Sequence, residues 1–427
     1  MKITEISDKV YEIAQRAEEK AAPYFKSIDY TAEKNTYKVM KAFQDNRVAE
    51  ACFAGTTGYG YDDLGRDTLD KIYTDIFGTE SALVRINFVN GTHALSAGLF
   101  SLCSPGETIL SINGEPYDTL RRAIGISGND FGSLKFYGIN YRETQLKDGA
   151  FDFDAIDSEL KNENIKAVII QRSCGYGSRK AFSIADISEA CSFIKSRRPD
   201  ITIFADNCYG EFTELEEPTN VGVDLIAGSL IKNPGGGLAP TGGYLAGRAE
   251  LIERASYRLT TPGIGGECGS TLGNNRLLYQ GLFMAPHITA QALKTAVFAS
   301  AMMDELGIES SPRYDEKRSD IIQRIYLGSG DKMKAFCAGI QAGAPVDSYV
   351  TPEPWAMPGY DCPVIMAAGA FIQGSSIELS ADGPFIPPYT VYLQGGLTYE
   401  SGKLGVMMAV ERIALCNELP THQGRHT

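Results

Sequence analysis

A chain of 427 residues, 43% hydrophobic and 22% charged, has ordinary globular usage and enough length for a large core and two or three domains. Its formal charge of −13, from 53 acidic against 40 basic side chains, argues against a nucleic-acid backbone or an anionic membrane as partner. Nine cysteines without a CxxC pair indicate neither a zinc site nor a disulfide framework, so no metal is expected, and the odd count suits a reducing cytoplasm.

Met1 to Ile6 leads into a charged amphipathic stretch instead of an apolar signal core, and no run is long and apolar enough to span a bilayer. The expectation is a cytoplasmic protein. From Asp8 to about Val48, apolar residues recur at three-to-four spacing among lysine, glutamate and alanine, which predicts packing helices and sets an N-terminal helical arm at 1–55. Over 56–287 short apolar strands alternate with amphipathic helices. The strands are read within Ser81 to Phe88 and at Thr108 to Ile112, Leu134 to Tyr137, Ala167 to Gln171, Ile201 to Ala205, Leu225 to Ala227 and Gly243 to Ala246. That alternation predicts an α/β domain built on a mostly parallel sheet covered on both faces. From Ile288 an alanine-rich helix leads, past a polar break at Ser310 to Asp315, into strands around Lys334 to Phe336, Val364 to Ala368 and Ser376 to Leu379 and a closing helix from about Lys403 to Glu418. This last part, 288–427, reads as a smaller C-terminal α+β domain. Thr421 to Thr427 reads as a tail.

Within this frame one lysine stands out. Lys232 follows the apolar strand ending near Ala227 and opens the glycine-rich run Asn233-Pro234-Gly235-Gly236-Gly237. Burying an ammonium costs several kcal/mol and drives its pKa down, and a neutral amine can form a Schiff base with an aldehyde. A lysine that merely begins a solvated loop is the ordinary alternative. Twenty-six positions earlier, Asp206 ends the strand Ile201 to Ala205, where ligands of parallel sheets sit. Alone it would pass for a helix cap; with Lys232 it fits the acid that pairs with the pyridinium nitrogen of pyridoxal phosphate. Upstream, Asn90-Gly91-Thr92-His93 breaks a strand and opens a helix, aiming free N–H groups and a positive dipole end at one spot suited to a phosphate. Thr92 and Ser229 can each add a hydroxyl. His93 either faces the ring or simply begins the helix.

The order phosphate loop, aspartate, lysine, each at a strand end, is that of fold-type I pyridoxal-phosphate enzymes. Gly58 to Arg66, Ser81 to Arg85, Gly91 to Ala94, Gly114 to Leu120, Gly228 to Gly237 and Leu393 to Thr398 resemble more closely the methionine γ-lyase/aluminium-resistance protein family, a branch of the cystathionine-lyase group. The resemblance runs from near the start of the chain to about Glu418. It implies a large domain with a mostly parallel seven-stranded sheet, pyridoxal 5′-phosphate as cofactor, and carbon–sulfur bond cleavage in a small amino-acid substrate by α,β- or α,γ-elimination. An aminotransferase, or a member that has lost turnover, would share the same cofactor residues.

It also implies roles. Tyr117 would stack on the pyridine ring, with a tyrosine that caps the core as the alternative. Tyr59, Tyr61 and Arg66 resemble a segment that relatives extend to a neighbouring subunit's phosphate, which implies a homodimer or homotetramer with shared active sites. Relatives carry Tyr-x-Arg where this chain has Tyr61-Asp62-Asp63. A substrate carboxylate calls for an arginine. By the resemblance, Cys174 and Ile386 stand where basic residues are expected, so that role is either altered or moved to Arg172 or Arg179.

Overall fold

The structure is a computed structural model that describes residues 5–127, 131–357, 360 and 362–418. Contacts divide it into two units, one holding Asp29–Ala290 with Arg318–Ile321 and the other the remaining described residues. Helix α1, Asp8–Asp45, contributes to both.

The larger unit is built on a seven-stranded sheet. Its strands are β1 (Ser81–Arg85), β2 (Thr108–Ser111), β3 (Asn140–Glu143), β4 (Ile165–Gln171), β5 (Thr202–Asp206), β6 (Leu225–Ser229) and β7 (Gly243–Gly247), in the spatial order β1-β7-β6-β5-β4-β2-β3. From β3 to β6 all pairings are parallel. Strand β7 alone runs the other way, antiparallel to both β1 and β6. The α/β architecture and the mostly parallel sheet expected from the alternation are both present.

Side-chain alternation along the strands builds a core on each face. Val168, Ile170, Ile203, Ala205, Ile226, Tyr244 and Ala246 enter one core, and Ala167, Ile169, Phe204, Leu225, Ala227 and Leu245 the other. Helices α2 (Leu64–Phe77), α5 (Phe153–Leu160) and α6 (Ile184–Arg197) cover the first. On the second lie α3 (Gly91–Leu102), α4 (Asp118–Ile124) and α7 (Ala249–Leu259). Their starts are written locally: Asp63 caps α2, Asn90 caps α3, and Ser183 with Asp186 closes a capping box on α6. Helix α8, Asn275–Glu305, begins in this unit.

The smaller unit carries a five-stranded antiparallel sheet of β8 (Ser310–Ser311), β9 (Gln323–Tyr326), β10 (Val364–Ala367), β11 (Ser380–Pro384) and β12 (Thr390–Gln394), ordered β8-β9-β12-β11-β10. Helices α9 (Gly330–Ala342) and α10 (Tyr399–Glu418) pack with it, around Ile325, Met333, Phe336, Ile340, Leu393 and Val406.

Three expected strands differ. Leu134 to Tyr137 forms turns, and the strand comes later as β3, because Gly132 and Gly138 hold positive φ and the backbone turns on itself between them. Lys334 to Phe336 lies inside α9, whose N-cap Ser329 accepts from Lys332 N–H and whose buried face is Met333, Phe336, Cys337 and Ile340 at helical spacing. Ser376 to Leu379 is a turn that precedes β11. The tail at Thr421 to Thr427 lies outside the described residues.

Candidate active site

Parallel strands in register bring their carboxyl ends to one edge. Gln171 pairs with Asp206 and Asp206 with Ala227, so β4, β5 and β6 finish side by side. Ser229 ends β6, and Lys232 follows three residues on, before the short turn Asn233–Gly235. The glycines after it permit a backbone-to-backbone seat. A Cβ on Gly236, whose φ is +52, would come 2.3 Å from the Gly281 carbonyl oxygen of α8, and one on Gly281 would come 2.2 Å from that of Gly235. Only glycine allows that approach, and it fixes the loop that carries Lys232.

The neighbours of Lys232 define its chemistry. Its Nζ lies 3.9 Å from the ring centroid of Tyr209, a cation–π contact. Tyr209 holds a left-handed φ of +70 and Phe212 one of +62, conformations a non-glycine residue adopts at a cost. Asp206, buried, accepts the Cys208 N–H at 3.0 Å through Oδ1. Burial pushes the Asp206 carboxyl up, opposed by the charge of Lys232. For Lys232 the expectation of a lowered pKa fails. Burial pulls it down, but Cys208, Tyr209, Asp206 and Glu211 outweigh burial and hold the amine above the ordinary lysine value. Burial raises the Cys208 thiol well above its usual range, so near neutrality it carries no charge to do this.

A chain of contacts carries the site round to α3. Gln171 accepts the Tyr117 N–H at 2.9 Å, and Tyr117, at the start of α4, sets its ring edge-on to Tyr176 with centroids 6.1 Å apart. In the first turn of α4, Thr119 meets Thr92 of α3, hydroxyl to hydroxyl at 3.0 Å. Gly91 then closes the ring, since a Cβ there would come 2.9 Å from the Ser229 Cβ. Asn90 takes the His93 N–H, while Gly91 and Thr92, the first two residues of α3, have no carbonyl four places back inside the helix to bond. Their N–H groups and the dipole end lie beside Ser229, a donor set that could receive an anion and that a side chain at 91 would crowd. His93 uses Nδ1 to accept the Val89 N–H at 3.3 Å, sets its ring edge-on to Phe88, and has its pKa lowered by burial. It sits as a neutral imidazole at the helix start.

Arg172 is fully buried, its Nη atoms taken by Asn207 at 2.8 Å, Glu214 at 3.0 Å, Glu217 at 3.3 Å and Thr213 at 3.4 Å. Arg66 is also buried and binds the carbonyls of Gly60, Gly269 and Glu267 together with the Asp67 carboxylate. Arg179 clamps the carbonyls of Gln171, Arg172, Ser173 and Lys180. Arg172 is held by side chains, whereas Arg66 and Arg179 hold backbone carbonyls, and the Arg179 charge also acts on Asp206. A hydrophilic head in a sequence does not say whether protein or substrate will receive it.

Tyr59 and Tyr61 are exposed and stacked on each other, centroids 5.6 Å apart. Their loop is locked from below. Asp63 accepts from Thr56, Thr271, Asn275 and the Arg66 N–H, and Gly269 N–H donates to the Tyr59 carbonyl at 2.9 Å. Among the described residues neither tyrosine has a hydrogen bond or ring contact with the Lys232 cluster of its own chain. No group of three or more metal-ligating side chains converges among the described residues, and none of the described helices is long and apolar enough to cross a membrane. The sequence reading missed Tyr209 and Glu211, which lie in the turn after Asp206 with no motif of their own. The available signal was their place just beyond a strand end.

A seven-stranded, mostly parallel sheet covered by helices on both faces is the fold-type I architecture, which is also that of pyridoxal-phosphate-dependent proteins. The pyridoxal-5′-phosphate-dependent protein YhfS of Escherichia coli has the same fold at 15% identity, with a TM-score of 0.61 over 91% of this chain and 97% of that one. More particularly, the family model described as methionine gamma-lyase matches residues 10–414, and the chain belongs to that family. It is 49% identical to the Bacillus subtilis protein YnbB over 402 residues, 94% of this chain and 95% of the other. A solved structure named as a carbon-sulfur lyase involved in aluminum resistance, from Clostridium novyi NT, is 55% identical, with a TM-score of 0.92 over 96% of this chain and 97% of that one.

Proposed function

We propose that this protein is a pyridoxal-phosphate-dependent carbon–sulfur lyase that cleaves a sulfur amino acid by α,β- or α,γ-elimination, yielding a 2-oxo acid, ammonia and a thiol. The observation that supports the reading is that the charge of Lys232 acts on Asp206 at the carboxyl edge of the sheet, where Ser229 lies against Gly91. The donor set fits the group. The Gly91 and Thr92 N–H groups and the Ser229 hydroxyl would hold the phosphate, the Asp206 carboxyl would face the ring nitrogen, Lys232 would take the aldehyde, and the Tyr117 ring would flank the plane. When bound, pyridoxal phosphate supplies an aldehyde for amines and an electron sink for the pair released at Cα.

The chain's own work is proton handling and orientation. Lys232, once its amine is free, is the base that takes the Cα proton. Asp206, held by the Cys208 N–H, keeps a negative charge where a protonated ring nitrogen would sit. The seating of Gly235 and Gly236 on Gly281 keeps that base in place, which matters because small misplacements cost large factors in rate. We place carboxylate recognition on groups other than the Nη atoms of Arg172 and Arg66, since protein atoms receive these. The stacked, exposed Tyr59 and Tyr61 are offered to a second copy of the chain, in a homo-oligomer with shared sites, and the compartment is the cytoplasm.

The test is the absorption spectrum of the purified protein before and after cystathionine, cysteine and methionine are added in turn, with 2-oxo acid release assayed in parallel. A band that shifts with at least one of the three, with release of a 2-oxo acid, supports the reading. A protein that binds pyridoxal phosphate yet releases no 2-oxo acid from any of them would contradict it.

A further inference from the structure

We propose that the buried Glu211 is a positioning residue that sets the charge of the Lys232 amine, an inference that rests on the role given to Lys232 above. When protonated, Glu211 lets the amine discharge; when ionised, it holds the ammonium. One proton is gained or lost at the carboxyl, and no electrons move.

The geometry singles out this carboxyl. Glu211 is 0% exposed. Its Oε1 accepts the Tyr244 hydroxyl at 2.8 Å, while Oε2 is buried and takes no hydrogen bond among the described residues. A buried acid with one orphan oxygen is costly to ionise and serves stability poorly. The fold nevertheless makes room for it. A Cβ on Gly228, one residue before Ser229, would come 2.7 Å from Oε1 and 2.8 Å from the Tyr244 hydroxyl oxygen. The backbone of Glu211 is pinned to the residue after Lys232, since Asn233 Nδ2 donates to the Glu211 carbonyl at 3.0 Å.

Few charges reach this acid. Tyr244 of β7 and Tyr73 of α2 face it with neutral hydroxyls, both pushed up by burial, and the Cys208 thiol is likewise raised. Glu217, on its own loop, is paired with Arg172, and Lys38 of α1 acts on Glu217. Lys232 is the cation that acts on Glu211 itself. Burial, partly offset by its hydrogen bonds, carries the Glu211 carboxyl up to about 8, close to neutrality, where a small change in its surroundings changes its charge.

The experiment uses the full-length protein. The cofactor absorption of the protein as purified is titrated against pH. After treatment with hydroxylamine and dialysis, acetylation of Lys232 by acetic anhydride is followed against pH by mass spectrometry. Glu211→Gln keeps the shape and removes the charge. It is expected to move the Lys232 labelling midpoint down by about one pH unit, so that labelling between about pH 8 and the midpoint rises by up to about tenfold. Tyr244→Phe removes the donor that favours the ionised carboxyl and should move it the same way by less, which carries the test if Glu211→Gln does not fold. Labelling curves of both variants that superimpose on the wild type would overturn the proposal, even with thermal midpoints lowered. Because labelling needs no cofactor, a protein with no absorption band would defeat the lyase reading and leave the Glu211 test standing.

Discussion

Arg172 and Glu217 form an ion pair at 3.3 Å in which both side chains are 0% exposed. Glu217 also accepts from Asn207 at 3.0 Å and from the Phe212 N–H at 2.9 Å, so the pair ties β4 to the turn that carries Tyr209 and Glu211. Removing one partner of a buried pair strands the other charge at a cost of about 3–5 kcal/mol. Arg172→Met is therefore expected to lower the urea midpoint sharply, read by tryptophan fluorescence or circular dichroism. A variant of unchanged stability with a raised KM would instead assign Arg172 to the substrate.

The Gly91 position makes a second prediction. A methyl there must share space with the Ser229 side chain, which lies only 2.9 Å from the Cβ position. Gly91→Ala should retain the fold and lose pyridoxal phosphate on dialysis at least about tenfold more readily, since each 1.4 kcal/mol lost from the phosphate contacts is a factor of ten. Equal retention by the variant and the wild type would remove the phosphate from this donor set.

Stability should carry a pH signature from Glu211. Its carboxyl titrates near 8 in the folded protein, raised by burial from the 4.5 usual for a glutamate. Between those values the folded chain keeps a proton that the unfolded chain has released. The stability this group contributes is full below pH 4.5 and is lost as the pH rises to about 8, with a limiting slope of about 1.4 kcal/mol per pH unit. Urea unfolding at pH 5.5 and 7.5 should show the wild type losing stability relative to Glu211→Gln. A difference between the two proteins that is the same at both pH values would contradict the raised titration.

Much of this was readable beforehand, and the reason lies in how the signals are written. Strand alternation and helix starts are local, so the sheet edge, Asp206, the Gly91 helix and Lys232 could be placed from residues close together in the chain. Leu134 to Tyr137 and Lys334 to Phe336 misled because short apolar runs fit strand, turn or helix equally well, and tertiary packing decides. The fate of Arg172 and Arg66 was not legible, since their partners Glu214, Glu217 and the carbonyl of Gly269 lie far along the chain. Nor was the raised pKa of Lys232, which depends on acids assembled around it by folding.

The central claim is that the Lys232 amine joins pyridoxal phosphate. Borohydride reduction of the purified protein, followed by proteolysis and mass spectrometry, should find a phosphopyridoxyl group on the peptide that holds Lys232, and Lys232→Ala should show none and no turnover. An unmodified Lys232 in wild type reduced in the presence of pyridoxal phosphate would contradict the account.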